Sequence, residues 1–216
     1  MTQIAKQISE QRRTIASDDS GVAFIEFAFI APIFLTLVLV GLEISNLAVS
    51  HLRVSQIAMT VADNAGRVDA GIDEANIHEV FAGAAVVGRA LDFEQNGRIV
   101  LSSLEDNGQT GGDAGQMIRW QRCWGNLSVD PAYGVEGDGE SDNSLENGLG
   151  ADGNRVAASS NVAMMFVEAT YRYQPLVANR FFEPPTIRYE SAFNVRSRQN
   201  NVLTNTQDLD ELECDS

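Results

Sequence analysis

The spacing of apolar positions changes along the chain, and each change predicts a different element. From Val22 to Leu42 the residues are apolar almost without interruption, and Glu26 is the only charge among them. At 1.5 Å rise per residue, about 20 such residues cross the ~30 Å hydrocarbon core of a bilayer, so the run predicts a transmembrane helix over 22–43. Pro32 and Gly41 fit within it, because neighbouring groups in a membrane helix re-satisfy the backbone bonds that they disturb. A buried helix of a soluble domain would be shorter and less uniformly apolar. Past the run, Ile44, Leu47, Ala48, His51, Ala58, Val61, Ala62 and Ala65 recur at three- and four-residue steps. The helix is therefore expected to continue to about Arg67, with Gly66 as a weak point, and to pack one face on a further domain.

A second helix is expected from Glu74 to about Ala90, with Asp73 as its N-cap and Ile77, Val80, Phe81, Ala84, Val87 and Leu91 on its apolar face. The period then shortens to two. Strands are expected to begin at Arg98–Leu101 and to occupy Gln116–Trp124, Val162–Tyr173 and Thr186–Arg196. Two helices followed by strands predict an α+β fold with an antiparallel sheet, and nothing repeats internally. Between 125 and 155 the chain is rich in Gly, Asp, Glu, Asn and Ser, which predicts a flexible acidic loop. The expected organisation is a leader over 1–21, the membrane helix over 22–43 and an α+β domain over 44–216.

Charge narrows the partners. Thirty acidic residues against fifteen basic ones give a net charge of −15. No basic patch with interleaved aromatics is present, so nucleic acid is excluded as a partner. No nucleophile elbow, zinc-protease helix or phosphate-cradling glycine loop occurs. His51 and His78 both fall in expected helices, and Cys123 falls in an expected strand. We therefore assign no catalytic residue, no metal and no cofactor. Asp138, Glu140, Asp142 and Glu146 lie in the acidic loop but lack the spacing of an EF-hand, so a solvated loop is preferred to a calcium site. The two cysteines, Cys123 and Cys214, sit in no CxxC motif, and they either pair or remain thiols depending on compartment.

The flanks of the span address the compartment. Lys6, Arg12 and Arg13 precede it, and Arg53 is the only positive charge close behind it. The positive-inside rule then places the N-terminus in the cytoplasm and the bulk of the chain outside it. In that location a Cys123–Cys214 disulfide is expected to form and to pin the acidic C-terminal end. The run is too long for the apolar core of an ordinary secretory signal.

Glu26 needs its own explanation, since a carboxylate in a bilayer costs about 2.5–3.5 kcal/mol at the helix centre and less near an interface. Gly21 stands four apolar residues before it. A cut after Gly21 would make Val22 a new N-terminus, whose α-amine, with a pKa near 8, is largely cationic at neutral pH. Glu26 of a neighbouring subunit can then neutralise that amine and fix the register of packed helices, because a buried charge pair contributes specificity more dependably than stability.

The stretch GVAFIEFAFIAPIFLTLVLVGLEISNLAV resembles the N-terminal signature of the TadE/TadG-like family, minor pilins or pseudopilins of the Tad (tight adherence, Flp) pilus system. The matching positions are Gly21, Glu26, Phe27, Ala28 and Pro32. Some Tad pilins carry Glu-Tyr where this chain has Glu26-Phe27, so the ring is kept and the hydroxyl lost. The resemblance implies processing after Gly21 by a prepilin peptidase of the inner membrane. It implies a role in pilus biogenesis for surface adherence, with other Tad pilins and the assembly machinery as partners. It also implies a single pass of the bacterial inner membrane with the bulk of the chain periplasmic, or incorporation into an extracellular pilus. The alternative is an uncleaved single-pass anchor that displays a periplasmic binding or scaffold domain.

Overall fold

The computed structural model describes residues 20–69, 71–160, 162–177, 183–196, 198 and 200–214. The leader residues Lys6, Arg12 and Arg13, which carry the orientation argument, lie outside this set. Backbone contacts divide the chain into two units, one ending at Ser45 and one beginning at Asn46. A single helix, α1 (Ser20–Arg67), contributes to both.

In the first unit α1 exposes its apolar side chains, with Phe24 at 74% and Phe29 at 73%. Thr36 and Ser45 each donate a hydroxyl hydrogen bond to the carbonyl four residues earlier, Pro32 and Gly41 respectively. Their polar groups are thus satisfied within the helix.

In the second unit α1 packs through Val54, Ile57, Ala58, Val61, Ala62 and Ala65, all at most 1% exposed. This stripe differs at its start from the expected face. Ile44 is 62% exposed and Ala48 is also exposed, whereas Val54 and Ile57 carry the packing. The three/four spacing runs backward from Ala65 through Val61 and Ala58 to Val54, and Ile44 and Ala48 lie off this stripe.

Helix α2 (Glu74–Gly88) starts where Asp73 caps it. The Asp73 side chain accepts from the Ala75 amide, and Asn76 reciprocates by accepting from the Asp73 amide. It ends before the predicted Ala90, and Leu91 is buried on a following 3-10 turn (Arg89–Leu91) instead. A short helix α3 (Phe93–Asn96) then sets Phe93 between Trp124 and Tyr171, with ring centroids 6.1 and 5.8 Å away. Gly97 is required here because a Cβ would strike the Phe93 ring.

The main sheet contains β2 (Gly97–Asp106), β3 (Gln116–Trp124), β4 (Met164–Arg172) and β5 (Thr186–Asn194) in the order β3-β2-β4-β5, all antiparallel. A register shift interrupts β2 and β3 between Ser103 and Leu104. Ile99, Leu101, Met165, Val167, Ala169 and Ile187 share one core with α1 and α2. The alternate residues Leu104, Ile118 and Phe166 form a second cluster with Leu149 and Ala158, joined by Tyr133 and Leu145. The sheet is therefore covered on both faces.

The second cover is the acidic loop. It has no helix or named strand, as its composition predicts, yet two of its apolar residues are buried: Leu127 is 5% exposed and Leu149 is 1%. Gly148 lets it turn back on itself, since its φ of +77° suits glycine and a Cβ would collide with the Val156 carbonyl.

A two-residue parallel pair, β1 (Ile72–Asp73) with β6 (Leu203–Thr204), escaped the sequence reading. Such short strands carry no periodicity. Beyond β6 the acidic end is not simply solvated. Leu212 packs against the main core, and its carbonyl accepts from the Cys123 amide at 2.7 Å.

Candidate functional site

Gly21, Val22, Glu26, Phe27 and Pro32 all lie on α1 within its apolar, exposed part. Gly21 faces open space, where a Cβ would meet nothing within 4 Å. Val22 is 52% exposed and Phe27 67%. Val22 and Glu26 are one helical turn apart, so they project from the same face. Phe27 falls on the next row, and Pro32 sits more than a turn further on. Glu26 makes no ion pair among the described residues, while its neighbours Ile25 and Phe27 are exposed apolar groups. Between Val22 and Leu42 the helix thus presents a single carboxylate on an otherwise apolar surface.

One helix among the described residues is long and apolar enough to cross a membrane, with a mean hydropathy of 2.5 in its most apolar window and none of that window buried. A side-chain surface of this kind is stable in lipid or against other apolar helices, and it suits single-pass membrane anchoring.

In the second unit, Cys123 and Cys214 form a disulfide with Cα atoms 4.9 Å apart. Cys123 lies on the outer edge of the sheet, and that edge is occupied along its length. The Ile118 amide donates to the Asp138 carbonyl, the Gln121 amide donates to Glu136, and the Cys123 amide donates to the Leu212 carbonyl. An open edge strand is a template for unwanted pairing, so this cover protects the domain.

The sequence reading missed the charge cluster behind this edge. Arg122 is 8% exposed at its side chain and binds Glu74 at 2.7 Å, Glu136 at 3.1 Å and Glu211 at 3.5 Å. Burial works against the Arg122 charge, but the three carboxylates, Glu74 foremost, outweigh it and push its pKa up. One arginine thereby ties the start of α2, the acidic loop and the C-terminal end to β3. Its only sequence signal was an arginine in an otherwise buried strand, which demands carboxylate partners but does not name them.

The remaining candidates play structural parts. His51 meets the Tyr189 hydroxyl at 3.2 Å, and His78 meets the Asp210 carbonyl at 2.9 Å. In the acidic loop, Asp138 accepts from the Val135 amide and Asp142 from the Ser144 amide. No group of three or more metal-ligating side chains is gathered among the described residues. No arrangement of nucleophile and base emerges among them either.

Comparison with known proteins bears on the first unit and the start of the second. Residues 21–63 match the family described as TadE-like protein. No curated protein and no solved structure matches the chain.

Proposed function

We propose that this chain, whose residues 21–63 are TadE-like and mark it as Tad pilus-associated, is a minor pilin or pseudopilin of a Tad (Flp) pilus. A prepilin peptidase removes the leader after Gly21, and the product serves in building the pilus used for surface adherence. The observation that carries this reading is a coincidence of two features. The family match begins at Gly21, and Glu26 stands one turn beyond Val22 on the exposed apolar surface of α1, without an ion pair among the described residues. In the mature protein the Val22 amine and the Glu26 carboxylate of adjacent subunits pair within a bundle of apolar helices. The leader stays cytoplasmic, and the α+β unit lies in the periplasm of a single-pass inner-membrane protein until assembly. Cys123–Cys214 pairing supports that location, because disulfides persist in oxidising compartments.

A second reading keeps the chain uncleaved as a membrane anchor that displays the α+β unit, and the same exposed helix favours it. Gly21→Trp separates the two. Under our reading a bulky side chain at the cleavage position blocks processing, and the variant migrates more slowly than the wild type on a denaturing gel. Equal mobility of the two proteins contradicts processing at this site.

A further inference from the structure

The face of the sheet turned away from α1 and α2 holds two glutamates directly opposite each other, Glu168 on β4 and Glu190 on β5. Like charges in such a cross-strand pair repel, and this pair lies under a loop. Glu168 is 4% exposed. Both of its carboxylate oxygens accept from the Ala132 amide, at 3.1 and 3.3 Å. Glu190 accepts from the Tyr133 hydroxyl and, at 3.4 Å, from the Ala151 amide. Both carboxylates therefore grip the same acidic loop, at two points far apart in its sequence.

We propose that Glu168 and Glu190 form a proton-dependent clasp, which holds the 125–155 loop to the sheet while Glu168 carries a proton and loosens it when Glu168 is charged beside Glu190.

The surroundings explain why a proton favours the docked loop. Burial raises the Glu168 pKa, the Glu190 charge raises it further, and the Ala132 amide and Arg188 only partly oppose them; the result is pushed up to about 7. Arg188, on β5, is the cation that acts on the pair. From β2 the residue opposite Glu168 is the uncharged Val100, and Arg98, two positions before it, is acted on by Asp130. From the loop, Tyr133 stays protonated because burial and Glu190 raise its pKa to about 12. Protonated Glu168 still accepts from the Ala132 amide through its carbonyl oxygen. It no longer repels Glu190 and no longer holds a charge out of water.

The sign follows from linkage. Undocking the loop returns Glu168 to water and to its ordinary value of 4.5, below the docked value of about 7. A raised carboxyl pKa in the docked state means that docking is strongest below about pH 4.5, weakens as pH rises from there to about 7, and levels off above it. With those two values the docking equilibrium falls about 30-fold between about pH 5.5 and about pH 8.

Hydrogen exchange on the full chain in detergent micelles or nanodiscs tests this. Exchange of loop peptides containing Ala132 and Ala151 is followed across that pH range and corrected for the intrinsic base-catalysed rate, with the β2 strand as the fold control. The expected result is a progressive loss of loop protection up to about pH 7, levelling off above it, while β2 is unchanged. Glu168→Gln is expected to flatten the profile. Glu190→Gln, which removes the repelling charge, is expected to move the midpoint to lower pH and serves if Glu168→Gln misfolds. Constant loop protection in the wild type overturns the clasp, as does an unchanged pH profile in either folded variant.

Discussion

Glu26 separates what a buried charge costs from what it is used for. Replacing it with alanine removes a penalty of about 2.5–3.5 kcal/mol at the bilayer centre, less near the interface, so the Glu26→Ala span inserts at least as well as the wild type. On the proposed reading cleavage after Gly21 is expected to continue, because Glu26 serves the charge pair and not the cut. Assembly fails instead: the Val22 amine loses its counter-charge in an apolar bundle, and leaving one member of a buried pair unpaired costs about 3–5 kcal/mol. Cells expressing the variant are expected to hold a processed subunit in the membrane and to lose adherence. Normal adherence, with the variant still co-purifying with other pilins, contradicts the register role. Phe27 and Pro32 bear on the same surface differently. The ring adds exposed apolar area beside the carboxylate, and Pro32 is accommodated within the unbroken helix, its carbonyl taking the Thr36 hydroxyl.

Among the elements, Arg122 on β3 holds three others through ion pairs to Glu74, Glu136 and Glu211. Arg122→Met leaves Glu74, 1% exposed, buried without its cation, and is expected to destabilise the domain by about 3–5 kcal/mol. Adding Glu74→Leu is expected to recover much of that loss, since a buried pair replaced by apolar groups of similar size is often neutral. Denaturant unfolding followed by the fluorescence of Trp120 and Trp124, which share the strand, measures both; a single variant as stable as the wild type contradicts the hub. Helices α1 and α2 and the four main strands were legible in the sequence because a periodic apolar pattern over many residues admits few alternatives. The ion cluster was not, because Glu136 and Glu211 lie in segments without periodicity, and only the fold brings them to Arg122. Glu168 was hidden for a related reason. It sits in a strand covered on both faces, so alternation could not show which side held a loop. The proposed processing site rests on a local signal: Gly21, Val22 and Glu26 fall within six consecutive positions.

At the scale of the molecule, the chain joins a helix with an apolar surface to a domain whose vulnerable edge is closed. The Cys123–Cys214 bond links residues 91 apart, and in the chain-entropy model a loop of that size is worth about 4–5 kcal/mol. That bond, the Arg122 cluster and the Leu212 carbonyl together keep the end of the chain on β3. The β3 edge is thereby closed to pairing with other chains, while the helix carries an exposed apolar surface. The account stands on the conversion of the full-length chain into a shorter subunit whose first residue lies one turn from Glu26. Intact mass and N-terminal peptide analysis of the protein purified from the membranes of cells containing the pilus system measures this directly. A mature chain beginning at Val22 is the predicted result; an intact N-terminus at Met1, or a cut near Ser50 that removes Glu26 and the apolar helix, contradicts it.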